Sequence, residues 1–375
     1  MTPQLNVLGL CSYPVEAAAT RFRLSQFVEP LRERGVELTI SPFLSSDQFK
    51  SLYTGGGIVS KAVAMTVSAS KRLGDILAAG KYDAVFVQRE AMIFGPGLVE
   101  WLISTVRSKP MVLDLDDATY VRYVSPTYGR IGSRLKCMGK TDKLIERASA
   151  VTCGNRFIAE YVTKKGVRSV VVPTVVDLEE FKPKETLRDP ETPVIGWIGT
   201  HSTFPFVRTI FPILERLAEH HSFKLRLVGA GDENVALKGI EVENRAWKME
   251  REAVDFASLD IGLYPITTSA SANEEWIRGK SGFKAVQYMA VGVPFVMSPV
   301  GVCAEMGEPQ VTHFNALNDD DWYTSLERLF SDRRFRREMG WSGRAFAEQH
   351  YCIADQADVL VRVFRESVGV QNLMQ

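Results

Sequence analysis

Two textures alternate along the chain. Short apolar runs of four to six residues are separated by longer stretches whose apolar positions recur every three or four residues, the signature of βα units around a parallel sheet. In the first half, Leu5–Leu10, Val36–Ile40, Ala84–Gln88, Met111–Leu115, Ala150–Cys153 and Ser169–Val172 are predicted strands. Ser25–Arg34, closed by Gly35, Ser60–Ala79, closed by Gly80, and Gly139–Ser149 are predicted helices. The run Lys182–Pro193 then breaks the pattern: it is polar and holds three prolines, which withhold an N–H and fix φ, so it predicts an interdomain linker. A second βα series follows. Val194–Ile198, Lys224–Val228, Ile240–Val242, Ile261–Pro265 and Pro294–Ser298 are predicted strands; Phe206–His220, Phe283–Val291, Asp320–Phe330, Arg333–Gln349 and Ala354–Ser367 are predicted helices. The expected organisation is a first Rossmann-like domain over 1–182, a linker over 183–193 and a second over 194–352. A C-terminal helix, 353–375, is expected to pack back on the first domain.

Composition narrows the function classes. A chain of 375 residues with 45% apolar content can bury two cores. Its 45 basic residues balance 45 acidic ones, which argues against a surface built for nucleic acid. Five scattered cysteines without ligand spacing predict reduced thiols and no structural zinc. The N-terminus shows no secretory pattern and no apolar stretch of membrane-spanning length occurs, so a cytoplasmic protein is expected, peripheral at most to the inner face of the membrane. One local exception stands out. Residues 118–147 carry seven cations (Arg122, Arg130, Arg134, Lys136, Lys140, Lys143 and Arg147) against Asp142 and Glu146, interleaved with Tyr120, Tyr123 and Tyr128. This is either a solvated face or a contact for anionic lipid head groups.

The densest chemistry lies between Asp260 and Glu305. The strand ending at Pro265 opens a loop, Ile266–Lys280, after which Ser281 and Gly282 stand at a helix start: Ser281 can cap, and Gly282 admits a ligand to the backbone. A helix N-terminus beyond the carboxyl end of a parallel strand is an anion site. Arg278, Lys280 and Lys284 add three cations, which suits a diphosphate better than a carboxylate, and Gln287 follows one turn later on the same helical face, in reach of a ribose. Trp247 can stack on a base or pack beside Met249. Thr200, His201 and Ser202, after the first strand of the second half, can hydrogen-bond phosphate or sugar, although Ser202 or Thr203 could simply cap the next helix. In the first half, Asp116 and Asp117 end a strand and either orient an acceptor hydroxyl or cap the next segment, with Gln88, Arg89 and Glu90 pointing into the same region. The loop after strand one lacks GxGxxG, against a dinucleotide dehydrogenase; Arg21 and Arg23 in it are expected to begin a helix.

The run Arg278-Gly-Lys-Ser-Gly-Phe-Lys-Ala-Val-Gln-Tyr-Met-Ala-Val-Gly-Val-Pro-Phe-Val-Met-Ser-Pro-Val-Gly-Val302 resembles the family 4 glycosyltransferases (group 1) of the GT-B fold. Ser169–Pro183, Val194–Gly199 and Leu225–Gly231 resemble further segments of that family, so the likeness spans nearly the whole chain. It implies an α/β fold of two Rossmann-like domains facing each other across a cleft, and retaining transfer of a sugar from a nucleotide-diphosphate donor to a glycan or lipid-linked acceptor, as in polysaccharide biosynthesis. It implies no bound metal or cofactor beyond the donor. Carried onto this chain, it gives Arg278, Lys280 and Lys284, with the backbone of Ser281, Gly282 and Phe283, to the diphosphate, and Thr200 and Trp247 to the donor. Asp116, Asp117 and His201 are the catalytic candidates. Two departures matter. Gln287 stands where the family has a ribose-binding glutamate, and Gly279 replaces the glutamate that holds the donor sugar, for which Glu274 or Glu275 are the substitutes at hand. A GT-B nucleotide-sugar epimerase and a non-catalytic nucleotide- or sugar-binding module fit the same residues.

Overall fold

A computed structural model describes residues 4–53, 58–121, 135–137, 139–183, 192–266 and 274–374. Most of the proline linker, the cations Arg122, Arg130 and Arg134, and residues 267–273 of the loop after Pro265 lie outside them. The chain divides into two compact units: Met1–Thr174 with Gly279–Ser281 and Ile353–Gln375, and Val175–Arg278 with Gly282–Cys352.

The first unit is a six-stranded sheet of β1 (Leu5–Cys11), β2 (Val36–Pro42), β3 (Ala84–Gln88), β4 (Met111–Leu115), β5 (Ala150–Cys153) and β6 (Ser169–Val171), in the order β2-β1-β3-β4-β5-β6. The second sheet holds β7 (Val194–Ile198), β8 (Lys224–Val228), β9 (Glu241–Arg245), β10 (Ile261–Tyr264), β11 (Phe295–Met297) and β12 (Phe314–Asn315), in the order β12-β11-β10-β7-β8-β9. Every pair of neighbours runs parallel. Parallel strands need crossovers that cover both faces, which is why central strands such as β3 and β4 are buried at every position. The expected α/β architecture of two Rossmann-like units is therefore present. Each sheet reverses its order once, between β1 and β3 and between β7 and β10, and ligands in open α/β sheets bind beyond the carboxyl ends of the strands at such points.

Helices depart from expectation where proline intervenes. Instead of one helix over Ser25–Arg34, there are a helix at Ala18–Arg23, a 3-10 turn at Ser25–Phe27 and a second helix at Val28–Arg32. Pro30 has no N–H to bond back to residue 26, so a regular α-helix cannot run through it. Phe206–His220 likewise becomes two helices, Phe204–Arg208 and Phe211–Ala218, each with proline in its first turn. The residues closing the loop after Pro265 form a short helix, Glu274–Arg278. The C-terminal helix, Ile353–Met374, packs within the first unit, where Phe364 meets Phe86 edge-on at 5.2 Å between centroids.

Candidate functional site

In the second unit the helix Phe283–Ala290 is anchored through its C-terminal half. Fully buried Tyr288 donates from its hydroxyl to the carbonyls of Gly196 at 3.3 Å and Leu263 at 3.1 Å, fastening the helix to β7 and β10 at the point where the strand order reverses. Burial pushes the Tyr288 phenol pKa well above its ordinary value, so it remains a donor. Two residues further on, the carbonyl of Ala290 accepts at 2.6 Å from Arg344, on the helix Arg333–His350, which also donates to the carbonyl of Phe181 at 2.7 Å. A helix held this way presents its first turn in a fixed position.

That first turn is not capped by Ser281. The residue before the helix is Gly282, left-handed at φ +64°, with no side-chain cap. A Cβ there would lie 2.6 Å from Met306 Sδ and 2.9 Å from Val302 Cγ1, so both backbone and space demand glycine. With no side chain occupying the cap, the first-turn amides have no local acceptor from that residue, and the helix dipole adds to their field. Lys284 and Lys280 are half-buried, Ser281 and Phe283 likewise, and Arg278 is exposed at the end of the preceding short helix.

Around the same carboxyl edge three loops close up. Gly229 (φ +81°), after β8, would overlap the Gly199 carbonyl if it carried a Cβ, and would stand 3.4 Å from Trp247 Cβ. A Cβ on Gly231 would be 3.6 Å from His201 Cβ. Thr200, His201 and Trp247 are thus drawn together from loops after β7 and β9. Trp247 is half-buried and stands outside the unit's apolar core cluster. Thr200 and His201 are exposed. The expected capping by Ser202 or Thr203 is absent. Thr203 precedes the helix without a side-chain cap, its hydroxyl turning back to the Thr200 carbonyl at 3.1 Å, while the Ser202 hydroxyl meets that of Thr200 at 2.9 Å.

Gln287 is placed differently from the sequence expectation of a group reaching outward. Its side chain is 1% exposed, and Nε2 donates to Glu252 Oε1 at 3.0 Å. Glu252, first residue of the helix Glu252–Ala257, was not singled out from sequence. Its only signal is an acidic residue in a first helical turn, which many helices share. Gly279, grouped with the first unit, is buried where a Cβ would overlap Ala118, so a glutamate does not fit there without a shift. Its neighbour Lys280 accepts from Asn155 Nδ2 through its carbonyl at 3.0 Å. Glu274 and Glu275 are exposed in the first turn of their helix.

The first unit's carboxyl edge is built from ion pairs. Arg23 and Asp114 are both buried and meet twice, Nε to Oδ2 at 3.0 Å and Nη2 to Oδ1 at 2.5 Å, with Thr152 Oγ1 donating to Asp114 at 2.6 Å. Arg21 and Arg23 were expected at a helix start. The helix instead ends there, where cations suit the dipole, and Arg23 serves Asp114. Next to this pair, Arg89 forks onto Asp116 at 2.5 and 2.6 Å and onto Asp117 at 2.9 Å, while Gln88 Nε2 donates to Asp116 at 3.2 Å. Arg89 is left-handed at φ +61°, an uncommon state for a residue with a Cβ, held here by three charge-assisted bonds. Burial would raise the Asp116 pKa, but Arg89, with help from Arg23, outweighs it and holds the carboxyl below its usual value. Asp116 is thereby a strong hydrogen-bond acceptor and a weak base at neutral pH. Glu90 pairs with Lys140 at 2.9 Å.

Among the described residues no group of three or more His, Cys, Asp or Glu side chains is set to hold a metal ion. Nor is any helix among them long and apolar enough to cross a membrane.

No protein-family model matches the chain, and no curated protein matches it by sequence. Solved structures match throughout. A glycosyltransferase from Rickettsia africae ESF-5 superposes with a TM-score of 0.69 at 13% identity, covering 97% of this chain and 99% of that one. HepE of Anabaena, solved with UDP and glucose, gives 0.67 at 16% identity over 97% of this chain and 100% of that one. An alpha-glucosyltransferase solved with UDP and a DNA 13-mer gives 0.65 at 12% identity over 96% and 100%. With two parallel sheets flanked by helices, this chain has the GT-B fold, the fold it shares with these sugar-transfer proteins.

Proposed function

We propose that the protein is a glycosyltransferase that moves a sugar from a nucleoside-diphosphate donor to an acceptor hydroxyl, with retention of anomeric configuration. The observation that carries this reading is the glycine-capped start of the helix Phe283–Ala290, flanked in sequence by Arg278, Lys280 and Lys284, at the carboxyl edge of the second sheet. A helix start without a side-chain cap and three cations match a diphosphate, and they would stabilise the charge that develops on it as it leaves. Trp247 would lie on the base and Thr200 and His201 toward the phosphate and sugar, while the buried Gln287 would hold Glu252 in place behind the site. HepE and the alpha-glucosyltransferase are solved with UDP, which favours a UDP-sugar donor. In the first unit Asp116, kept ionised, and Asp117 would accept from the acceptor hydroxyl. The acceptor class that fits is a glycan or lipid-linked glycan, and the chemistry needs no resident metal.

Titration with UDP, GDP, ADP and TDP by thermal shift and calorimetry tests the donor site. UDP is expected to bind, and Lys284→Ala to weaken it by about tenfold or more. Undiminished binding in that variant would move the site elsewhere. The buried Gly279, with no carboxylate in place for the donor sugar, favours a second reading, a nucleotide-binding module without turnover. It predicts UDP binding with no transfer or hydrolysis of any UDP-sugar. Formation of an epimer from a nucleotide sugar alone would instead mark an epimerase.

A further inference from the structure

The helix Ile58–Ala78 of the first unit is turned inside out. At about 100° per residue, Val63, Val67, Ser70, Gly74 and Leu77 fall on one face, with Leu73 beside them. In a globular helix this stripe would face the core. Here Val63, Val67, Leu73 and Leu77 are each more than half exposed, whereas Arg72 on the opposite face is 1% exposed. The reversal has a structural cause. Arg72 donates to the carbonyls of Cys11 at 2.7 Å, Ser41 at 2.9 Å and Ala91 at 2.8 Å, and pairs with Asp75 at 2.6 Å. It thus ties together the chain at or beyond the ends of β1, β2 and β3, and its side of the helix turns inward together with Met65 and Ile76, which pack on the apolar clusters.

The neighbouring helix repeats the pattern. In Leu98–Trp101, which runs on into a π-turn to Val106, Glu100 is 1% exposed and accepts from the Ala91 N–H at 2.8 Å, while Leu98 and Trp101 face solvent. Arg107 stitches the two helices by donating to the Leu77 carbonyl at 2.9 Å. The fully exposed charges of these two helices and the turns that follow them are mostly cations: Lys71, Lys81 and Arg107 are exposed, whereas Asp75 and Glu100 are turned inward and Asp83 is half-buried, accepting from the Asn6 N–H at 2.7 Å.

We propose that this face, formed by Val63, Val67, Leu73, Leu77, Leu98 and Trp101, seats the protein on an anionic lipid bilayer. Apolar side chains enter the head-group boundary, tryptophan suits that depth, and exposed cations at the rim are drawn to acidic lipid. The surface is separate from the cationic segment 118–147 and independent of the donor site, so its failure would leave the nucleotide reading untouched.

Co-sedimentation of the full chain with phosphatidylcholine vesicles, with and without phosphatidylglycerol, tests it. Binding is expected only with phosphatidylglycerol and is expected to fall as salt rises. Leu73→Ser with Leu77→Ser should weaken binding by about tenfold at unchanged thermal stability, because both side chains are mostly exposed, and Trp101→Ser should weaken binding likewise. Lys81→Glu with Arg107→Glu should do the same. No binding to phosphatidylglycerol vesicles, or binding indifferent to all three variants, would overturn the proposal. So would a lipid-free dimer in sedimentation equilibrium that the leucine variant dissociates, since a second copy would then cover the face.

Discussion

The carboxyl edges of the two sheets solve the same topological problem with opposite chemistry. In the first unit the edge is filled by charges that satisfy one another: Arg23 with Asp114, Arg89 with Asp116 and Asp117, Lys140 with Glu90. In the second unit the edge is made of glycine turns, hydroxyls and one uncapped helix start, with the buried tyrosine and arginine spent on backbone carbonyls. A closed set of ion pairs positions groups rigidly and offers acceptors. A helix start that no side chain caps offers the positive end of a dipole, which an anion can complete. The contrast is what supports the proposed division, with acceptor handling in the first unit and donor phosphate in the second.

The largest effect should come from opening the closed edge. Arg23→Met leaves Asp114 buried without its partner and should cost about 3–5 kcal/mol in denaturant unfolding. A loss under about 1 kcal/mol would mean that the pair is not what holds that edge. Acid should separate the units next. His313 of the second unit is buried between Thr312 and Asn315, and burial pushes its pKa down to about 4. Its folded pKa lies below the unfolded value of 6.5, so the unfolded chain binds the extra proton first. Stability is intact above pH 6.5 and is lost as pH falls toward about 4, by roughly 3 kcal/mol in all. Asp116 of the first unit, with its pKa lowered, gives way only below the ordinary carboxylate range. Urea unfolding between pH 7 and 4 should therefore show the second unit yielding first, and His313→Gln should flatten that slope; an unchanged slope would refute the assignment.

Gly282→Ala should cost about 2 kcal/mol, from the left-handed backbone and the contacts with Met306 and Val302, and should also weaken UDP binding. Loss of stability with full UDP affinity would detach the glycine cap from the donor site. Smallest is Arg89→Lys, which keeps the charge but loses the fork onto Asp116; about 1–2 kcal/mol of stability should go, and transfer should slow with little change in UDP affinity. If UDP affinity fell with it, the division of labour between the edges would fail.

Strands were the most legible part of the sequence. Ala84–Gln88, Met111–Leu115, Ala150–Cys153 and Val194–Ile198 have the bounds that their apolar runs predict, because a strand buried on both faces leaves a near-continuous apolar signal. Lys224–Val228 has its predicted bounds from the alternation of Leu225 and Leu227 with Lys224 and Arg226. The cations from Arg278 to Lys284 and the glycine at 282 were legible for another reason: a helix start and its flanks are contiguous in the chain. Pro30, Pro205 and Pro212 each lie in the first turn of a short helix, where proline fits, and so divide the longer apolar patterns into separate helices.

The remaining features belong to tertiary structure. Asp116 finds Arg89 27 positions away, Gln287 finds Glu252 35 away, and Asp114 finds Arg23 91 away. Which charge meets which depends on strand order, and strand order leaves no local mark. The helix Ile58–Ala78 makes the same point about direction. Its periodicity, read from sequence, gives an amphipathic helix and cannot say which face turns inward. That was decided by three carbonyls at the ends of neighbouring strands, which one buried guanidinium could satisfy, and so the apolar face was left outside.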